Sequence, residues 1–180
     1  DYDSYRNIRF LPDRALWRGE KLPFQVQFFH RGFLYTNKVE IFEVIGEKAT
    51  KIAYRADSFS FGSIEPPPAA VDLGFGGFRI HAPINRPDYY DEVCVFLGAS
   101  YFRAVAKGEI YGLSARGLSS NTGNARGEEF PFFKAFWIEK PPLNASSIVV
   151  HALLDSKSAA AAYRFTIRPG STTVFDVEMS

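Results

Sequence analysis

The sequence predicts an all-β chain folded as an antiparallel β-sandwich, and three observations carry that prediction. Aromatic residues fill 16% of the 180 positions, with eighteen Phe and nine Tyr against a single Met, a composition that favours strands over helices. Short runs of alternating apolar and polar residues arrive roughly every eight to twelve positions, with turn residues between them. No amphipathic helix longer than about two turns can be drawn.

Taken in order, Tyr5–Phe10 is expected as a short strand. Leu11–Trp17 is expected as one helical turn, opened by Pro12 and Asp13. Phe24, Val26 and Phe28 alternate with Gln25 and Gln27, the pattern of a half-buried strand ending near His30. Arg31-Gly32 turns the chain into a short strand, Phe33–Tyr35. Val39–Val44 and Thr50–Tyr54 follow, joined at Gly46-Glu47. Glu65-Pro66-Pro67-Pro68 reads as an extended surface loop, since proline donates no ladder hydrogen bond. The glycines at 74, 76 and 77 do not match a nucleotide-binding fingerprint. They fit a bulged entry to a strand anchored by Phe75 and Phe78. That strand is expected to end near His81, with Pro83–Pro87 as a turn. Val93–Phe96 is a buried strand, and a hairpin is expected over Ser100–Ala106 and Ile110–Gly117. A polar loop covers Ser119–Gly127. Strands at Phe132–Glu139, Ile148–Asp155, Tyr163–Ile167 and Thr172–Glu178 complete the chain, with Ser156–Ala162 as a loop or helical turn.

Composition narrows the function classes. A net charge of +1, with no block of like charges, argues against nucleic acid as the main partner. No run of eighteen apolar residues exists, so no membrane insertion by helix is expected. The opening Asp1-Tyr2-Asp3 has neither a Met start nor a signal peptide, so a processed chain or an excised fragment is expected. Cys94 is the single cysteine, and its setting in Val93-Cys94-Val95-Phe96 marks it as a small buried hydrophobe. His30, His81 and His151 are far apart and form no ligand-spaced pair, so no metal or other cofactor is expected. His81 and His151 are expected as hydrogen-bonded sheet residues. Ser114 and Ser119 sit in nothing like a nucleophile elbow.

The candidate site centres on the expected hairpin. Tyr101 and Arg103 share one strand face, while Phe102 and Ala104 share the other. Gly112, Ser114, Ala115 and Gly117 leave an open floor around which Tyr111 and Arg116 stand as walls. Aromatic faces and forked donors over small residues suit a sugar ring. The plainer alternative is a hairpin with solvated polar residues. Glu128, between the flexible loop and an aromatic strand, is placed to meet Arg103 or Arg116, with a structural salt bridge as its favoured role. Trp137, Phe136 and the Tyr89-Tyr90 pair add aromatic surface, Trp137 more as core than as platform.

Several motifs resemble the periplasmic glucan biosynthesis protein family of Gram-negative bacteria, in its G and D types. They are GASYFR at 98–103, YGLSARGL at 111–118 and GEEFP at 127–131, then Phe136-Trp137, with FFHRG at 28–32, DLGF at 72–75 and ALLDS at 152–156 in the same order. Ser119-Ser120-Asn121 and the NTGNAR loop depart from the family pattern. The resemblance implies a periplasmic protein that binds, and trims, osmoregulated glucans with a β-1,2-linked glucose backbone. Its alternative is a non-catalytic scaffold module that presents nascent glucan to other enzymes. It implies a galactose mutarotase-like sandwich (a supersandwich), with residues 1–180 as a single domain or the N-terminal portion of it. The rest of the sandwich and an immunoglobulin-like domain would be partners within the same protein, and homodimerisation is left open. The family's catalytic Asp is expected beyond Ser180, so no catalytic residue is assigned. The substrate-binding candidates are Tyr101, Arg103, Tyr111, Arg116, Glu128 and Trp137.

Overall fold

A computed structural model describes residues 2–180. It is all-β, with one short helix, α1 (Tyr2–Arg6). The strands are β1 (Arg9–Phe10), β2 (Gln25–His30), β3 (Glu40–Ile45), β4 (Lys48–Lys51), β5 (Phe59–Ser60), β6 (Phe75–Arg86), β7 (Tyr89–Leu97), β8 (Tyr101–Ala104), β9 (Ala115–Arg116), β10 (Phe132–Glu139), β11 (Ile148–Asp155), β12 (Ala160–Arg168) and β13 (Val174–Met179). They form a six-stranded sheet in the order β13-β12-β11-β10-β3-β4, a five-stranded sheet in the order β2-β6-β7-β8-β9, and the small pair β1-β5.

The two large sheets pack through phenylalanine. Phe78 and Phe96 come from the five-stranded sheet, and Phe133, Phe136 and Phe165 from the six-stranded sheet. Ring centroids lie 4.9 Å apart for Phe78 and Phe136 and 5.2 Å for Phe96 and Phe165, both edge-on, the arrangement that ring quadrupoles favour. A second aromatic group, Phe10, Phe28, Tyr54, Phe59 and Phe75, closes one end of the core. There His30 accepts a hydrogen bond from the Tyr54 hydroxyl at 2.9 Å.

The strong alternations appear where expected: β2, β3, β10, β11 and β13 match within a residue or two. The helical turn is the 3₁₀ segment Pro12–Arg14, and Trp17 beyond it is buried, donating its indole N–H to Glu43 at 2.6 Å. Other expectations are corrected. Tyr5 lies in α1, so the first strand shrinks to Arg9–Phe10. Phe33–Tyr35 is a turn closed by the Gly32–Tyr35 bridge. β6 does not stop near His81 but runs to Arg86. Pro83 falls where the β6–β7 register is broken, a place that needs no donor. β12 begins at Ala160, so 156–159 alone makes the turn. One pairing is not antiparallel: β3 and β10 run parallel, aligning Phe42 with Trp137. These two strands are far apart in sequence, and neither carries a mark of its neighbour.

The expected hairpin is the largest correction. β8 pairs with β9 only at Tyr101–Arg116 and Phe102–Ala115. The turn at Gly108 exists, but residues 105–114 form an open loop in which Ile110 and Leu113 are almost fully exposed. Ile110, Gly112, Leu113 and Ser114 are exposed there, and only Tyr111 of this stretch turns into the sheet face.

Two bulges matter for the site. Gly76 is the extra residue where β2 shifts register between Phe29 and His30, as the glycine spacing suggested. A Cβ on Gly77 would sit 2.2 Å from the Phe96 carbonyl oxygen, so only glycine lets β6 approach β7 this closely. Val93 is the extra residue where Ile80 pairs with Cys94 and His81 pairs with Glu92.

Gly77→Ala in the full-length protein is expected to lower the unfolding free energy by about 1–3 kcal/mol, through overpacking against backbone. Gly112→Ala, with nothing within 4 Å, should change it by less than about 0.5 kcal/mol. Urea titration of the two variants tests the contrast.

Candidate functional site

The five-stranded sheet turns Val26, Phe28, Phe78, Ile80, Cys94, Phe96 and Phe102 inward. Its other face is polar. Register pairing lines up Gln27, Arg79, Val95 and Arg103 in one row across it. Gln25, His81 and Glu92 form the next row on one side. Phe29, Gly77 and Leu97 lie on the other side, continued by the Tyr101–Arg116 pair.

Glu92 reaches this face because of the bulge at Val93. Strict alternation from Cys94 would point Glu92 into the core. The extra residue sends both Val93 and Cys94 inward, each fully buried, and turns Glu92 outward beside His81. There Glu92 accepts from the Arg79 guanidinium at 2.9 Å, while Arg79 also lies over the Phe29 ring at 5.2 Å.

Two features build the open part of the site. The first is the closure of β8 onto β9. Ser100 is fully buried at a left-handed φ of 45°. Its hydroxyl donates to the Leu118 carbonyl at 3.0 Å, and its own carbonyl accepts from the Gly117 N–H at 2.7 Å. Gly117 in turn presses on Phe133 and accepts from the Tyr163 hydroxyl at 2.8 Å. This clasp fixes Arg116 opposite Tyr101. The second feature is Arg116 itself. Its guanidinium lies 5.4 Å from the Tyr101 ring and 5.2 Å from the Phe130 ring, and it donates to the Ala99 carbonyl at 3.3 Å. Tyr101 and Arg116 line a cleft of about 460 Å³ with Tyr35, Asn37, Leu97 and Phe132.

Of the six residues predicted from sequence, four come together on this face. Arg103 and Tyr111 stack, with the guanidinium 4.0 Å from the ring centroid. Tyr101 and Arg116 lie one row along. Tyr111 arrives there from the open loop, not from a strand. Burial pushes its hydroxyl well above the usual phenol range, and the Glu92 carboxylate adds to that. The hydroxyl nonetheless has no hydrogen-bond partner of good geometry. Glu128 and Trp137 are elsewhere. Glu128 accepts from the Gly123 N–H at 2.7 Å, pinning its own loop, and it makes no ion pair with Arg103 or Arg116. Trp137 stacks on Phe42 at 5.4 Å, on the outer face of the six-stranded sheet. Arg79 and His81 were missed as site residues, and Glu92, considered only as one of a carboxylate pair with Asp91, was not among the six. Their signal was polar residues at alternate positions of apolar strands, in 78–81 as in 24–28, but both strands read as half-buried rather than as one shared polar floor.

Four further carboxyl groups are displaced downward. Asp57, Asp72, Asp88 and Glu129 are held below the usual carboxylate range by hydrogen bonds from Arg55, Lys38, Arg86 and Ser158 respectively. A general acid needs the opposite displacement. Burial pushes the Cys94 thiol up, which suppresses the reactive thiolate. His151 bonds Glu139 at 2.7 Å and His81 bonds the Tyr90 carbonyl at 3.1 Å, both as sheet residues. Among the described residues, no group of three or more His, Cys, Asp or Glu is placed to hold a metal. No described helix is long and apolar enough to cross a membrane.

Fold and site together define a class: a two-sheet β-sandwich with an aromatic- and arginine-lined cleft on one outer face. The chain matches the model of the periplasmic glucan biosynthesis protein family, MdoG, over residues 1–180, and it belongs to that family. It is 72% identical over 180 residues to glucans biosynthesis protein G of Rhodopseudomonas palustris strain BisA53, and 71% identical to that of Bradyrhizobium diazoefficiens. It is 53% identical over 178 residues to glucans biosynthesis protein G of Vibrio cholerae. In each case it covers 98–100% of itself but 33–36% of the relative, so it spans about a third of the length of these proteins.

Burial lowers the pKa of both His30 and His81. Each imidazole therefore binds its proton less readily folded than unfolded. Their contribution to stability is full above the usual histidine pKa of about 6.5 and is lost as pH falls through it. The urea midpoint of the full-length protein is expected to decline between pH 7.5 and pH 5.5. A flat profile over that window would contradict it.

Proposed function

We propose that the protein acts in the periplasm on osmoregulated glucans with a β-1,2-linked glucose backbone, and that this chain supplies a wall of the glucan-binding cleft. One observation carries the reading: the Tyr101–Arg116–Phe130 stack beside the 460 Å³ cleft. Aromatic faces take the apolar face of a sugar, while the guanidinium of Arg116 offers spare donors to hydroxyls. The names of the relatives support the same substrate class.

Binding and trimming are separable parts of the proposal. Trimming needs a general acid. The acid is assigned to the part of the full-length protein outside residues 1–180. The mutarotase-like completion of the sandwich and the immunoglobulin-like domain belong to the same proposal. The second reading is a scaffold that holds glucan without cutting it, which the same open cleft would serve.

Incubation of the full-length protein with linear β-1,2-glucan, followed by product sizing, separates the two: shorter products support trimming, while binding without cleavage supports the scaffold. Arg116→Ala and Tyr101→Ala in that protein are expected to weaken oligosaccharide binding at least about tenfold, equivalent to about 1.4 kcal/mol, in calorimetry. Unchanged affinity in both variants would remove this cleft from the binding surface.

A further inference from the structure

Four buried side-chain polar atoms among the described residues lack a hydrogen-bond partner: Arg79 Nε, His81 Nε2, Arg103 Nε and the Tyr111 hydroxyl. They belong to one connected patch. Arg79 and Arg103 flank Val95 in one row, Glu92 pairs with His81 in the next and bonds Arg79, and Tyr111 bridges Arg103 to the field of Glu92. Buried polar atoms are nearly always paired in folded proteins, so a cluster of orphans marks interactions left unmade.

Their hydrogen-bonding roles are mixed. Each Arg Nε–H can only donate. His81 Nδ1 faces the Tyr90 carbonyl, which only accepts, so Nδ1 carries the proton and Nε2 is a free acceptor. Burial lowers the pKa of that imidazole, and the residue is buried. Glu92 adds acceptors between the two arginines. A simple anion would meet Glu92, and a simple cation would meet the arginines. Hydroxyl groups, which donate and accept at one atom, match the whole pattern.

Tyr111 stacks on the Arg103 end of this patch, and the loop that carries it is open. The loop is tied to the body by Lys107 N–H to the Gly170 carbonyl and by Gly108 N–H to Asn85, both at 2.8 Å. Around Tyr111 itself, Ile110 and Leu113 are 89% and 98% exposed, and a Cβ added at Gly112 would meet nothing within 4 Å. A half-buried ring whose neighbours in sequence stand in water is a plug set into the face from a loop.

We propose that Tyr111 is a lid over a polyol subsite formed by Arg79, His81, Glu92 and Arg103, and that one sugar ring of the glucan displaces it. This rests on the glucan reading above and extends it from the open cleft to a second subsite beside it. Arg103 is two residues from Tyr101 along β8, about 7 Å away, so one chain can occupy both. The sugar hydroxyls supply partners for Arg79 Nε, His81 Nε2 and Arg103 Nε. Tyr111 then changes role, from the wall that its motif suggests to an occupant that must leave.

Hydrogen exchange on the full-length protein, with and without a saturating linear β-1,2-linked glucooligosaccharide, tests the lid without any substitution. Binding is expected to protect residues 97–101 and 116–118 and to speed exchange in 106–114 several-fold. Stopped-flow association with Tyr111→Ala is expected to be several-fold faster than with the unaltered protein, because the open state no longer has to be selected. Arg103→Lys, which keeps the charge but loses the Nε–H, is expected to bind about tenfold more weakly. Protection of the cleft with 106–114 unchanged or slowed, and no faster association by Tyr111→Ala, would overturn the lid while leaving the glucan reading intact. No protection in either region would overturn both.

Discussion

The aromatic seam between the two sheets is the constraint on which the rest depends. Phe96 sits at its centre, against Phe78 and Phe102 of its own sheet and against Phe133, Phe136 and Phe165 of the other. Each ring fixes the register of its strand, because a slip by one residue would swap the core face for the solvent face. With β6, β7 and β8 locked in this way, their outward side chains are locked too. The polar rows on the outer face are thus a consequence of the phenylalanine packing beneath them.

That coupling explains why the site tolerates orphaned polar atoms. Two arginines, a histidine, a glutamate and a tyrosine crowd one sheet face, where an unpaired buried donor or acceptor costs about 1–3 kcal/mol. The core is extensive enough to hold them in place. A soluble sandwich without a polar ligand would gain by replacing such residues with apolar or fully solvated ones. The open cleft of Tyr101 and Arg116 and the polar patch beside Tyr111 share the same strands, so one rigid platform presents both.

The clasp at Ser100 links the site to the opposite sheet. Its hydrogen bonds to Gly117 and Leu118, with the Tyr163 hydroxyl on the Gly117 carbonyl, tie the short β9 to β8 and to β12. Two paired residues make a weak strand. Held by this clasp, they are enough to set Arg116 against Tyr101. The loop between β8 and β9 carries no such clasp in its second half, which leaves Tyr111 tethered through its own stacking on Arg103. The same edge of the sheet therefore combines a fixed wall with a displaceable ring.

What the sequence by itself determined was the class of fold, most strands and the family. Alternation over 24–30, 132–139 and 148–155 is a local property, written wherever one face must be apolar. Tyr101, Arg103, Tyr111 and Arg116, singled out around the YGLSARGL motif, meet on one face. Only the tertiary structure decided how they meet. The parallel pairing of β3 with β10 joins strands distant in sequence. The bulge at Val93 reverses the facing of Glu92, and no one-dimensional pattern distinguishes an extra residue from an ordinary one. Ile110–Ser114 alternates well enough to look like a strand, yet no partner lies beside it. Glu128 and Trp137 have suitable chemistry, but the fold sends them to the base of a loop and to the far sheet. A side chain's type is set by the sequence, while its neighbours are set by register, and register is settled by packing between residues far apart along the chain.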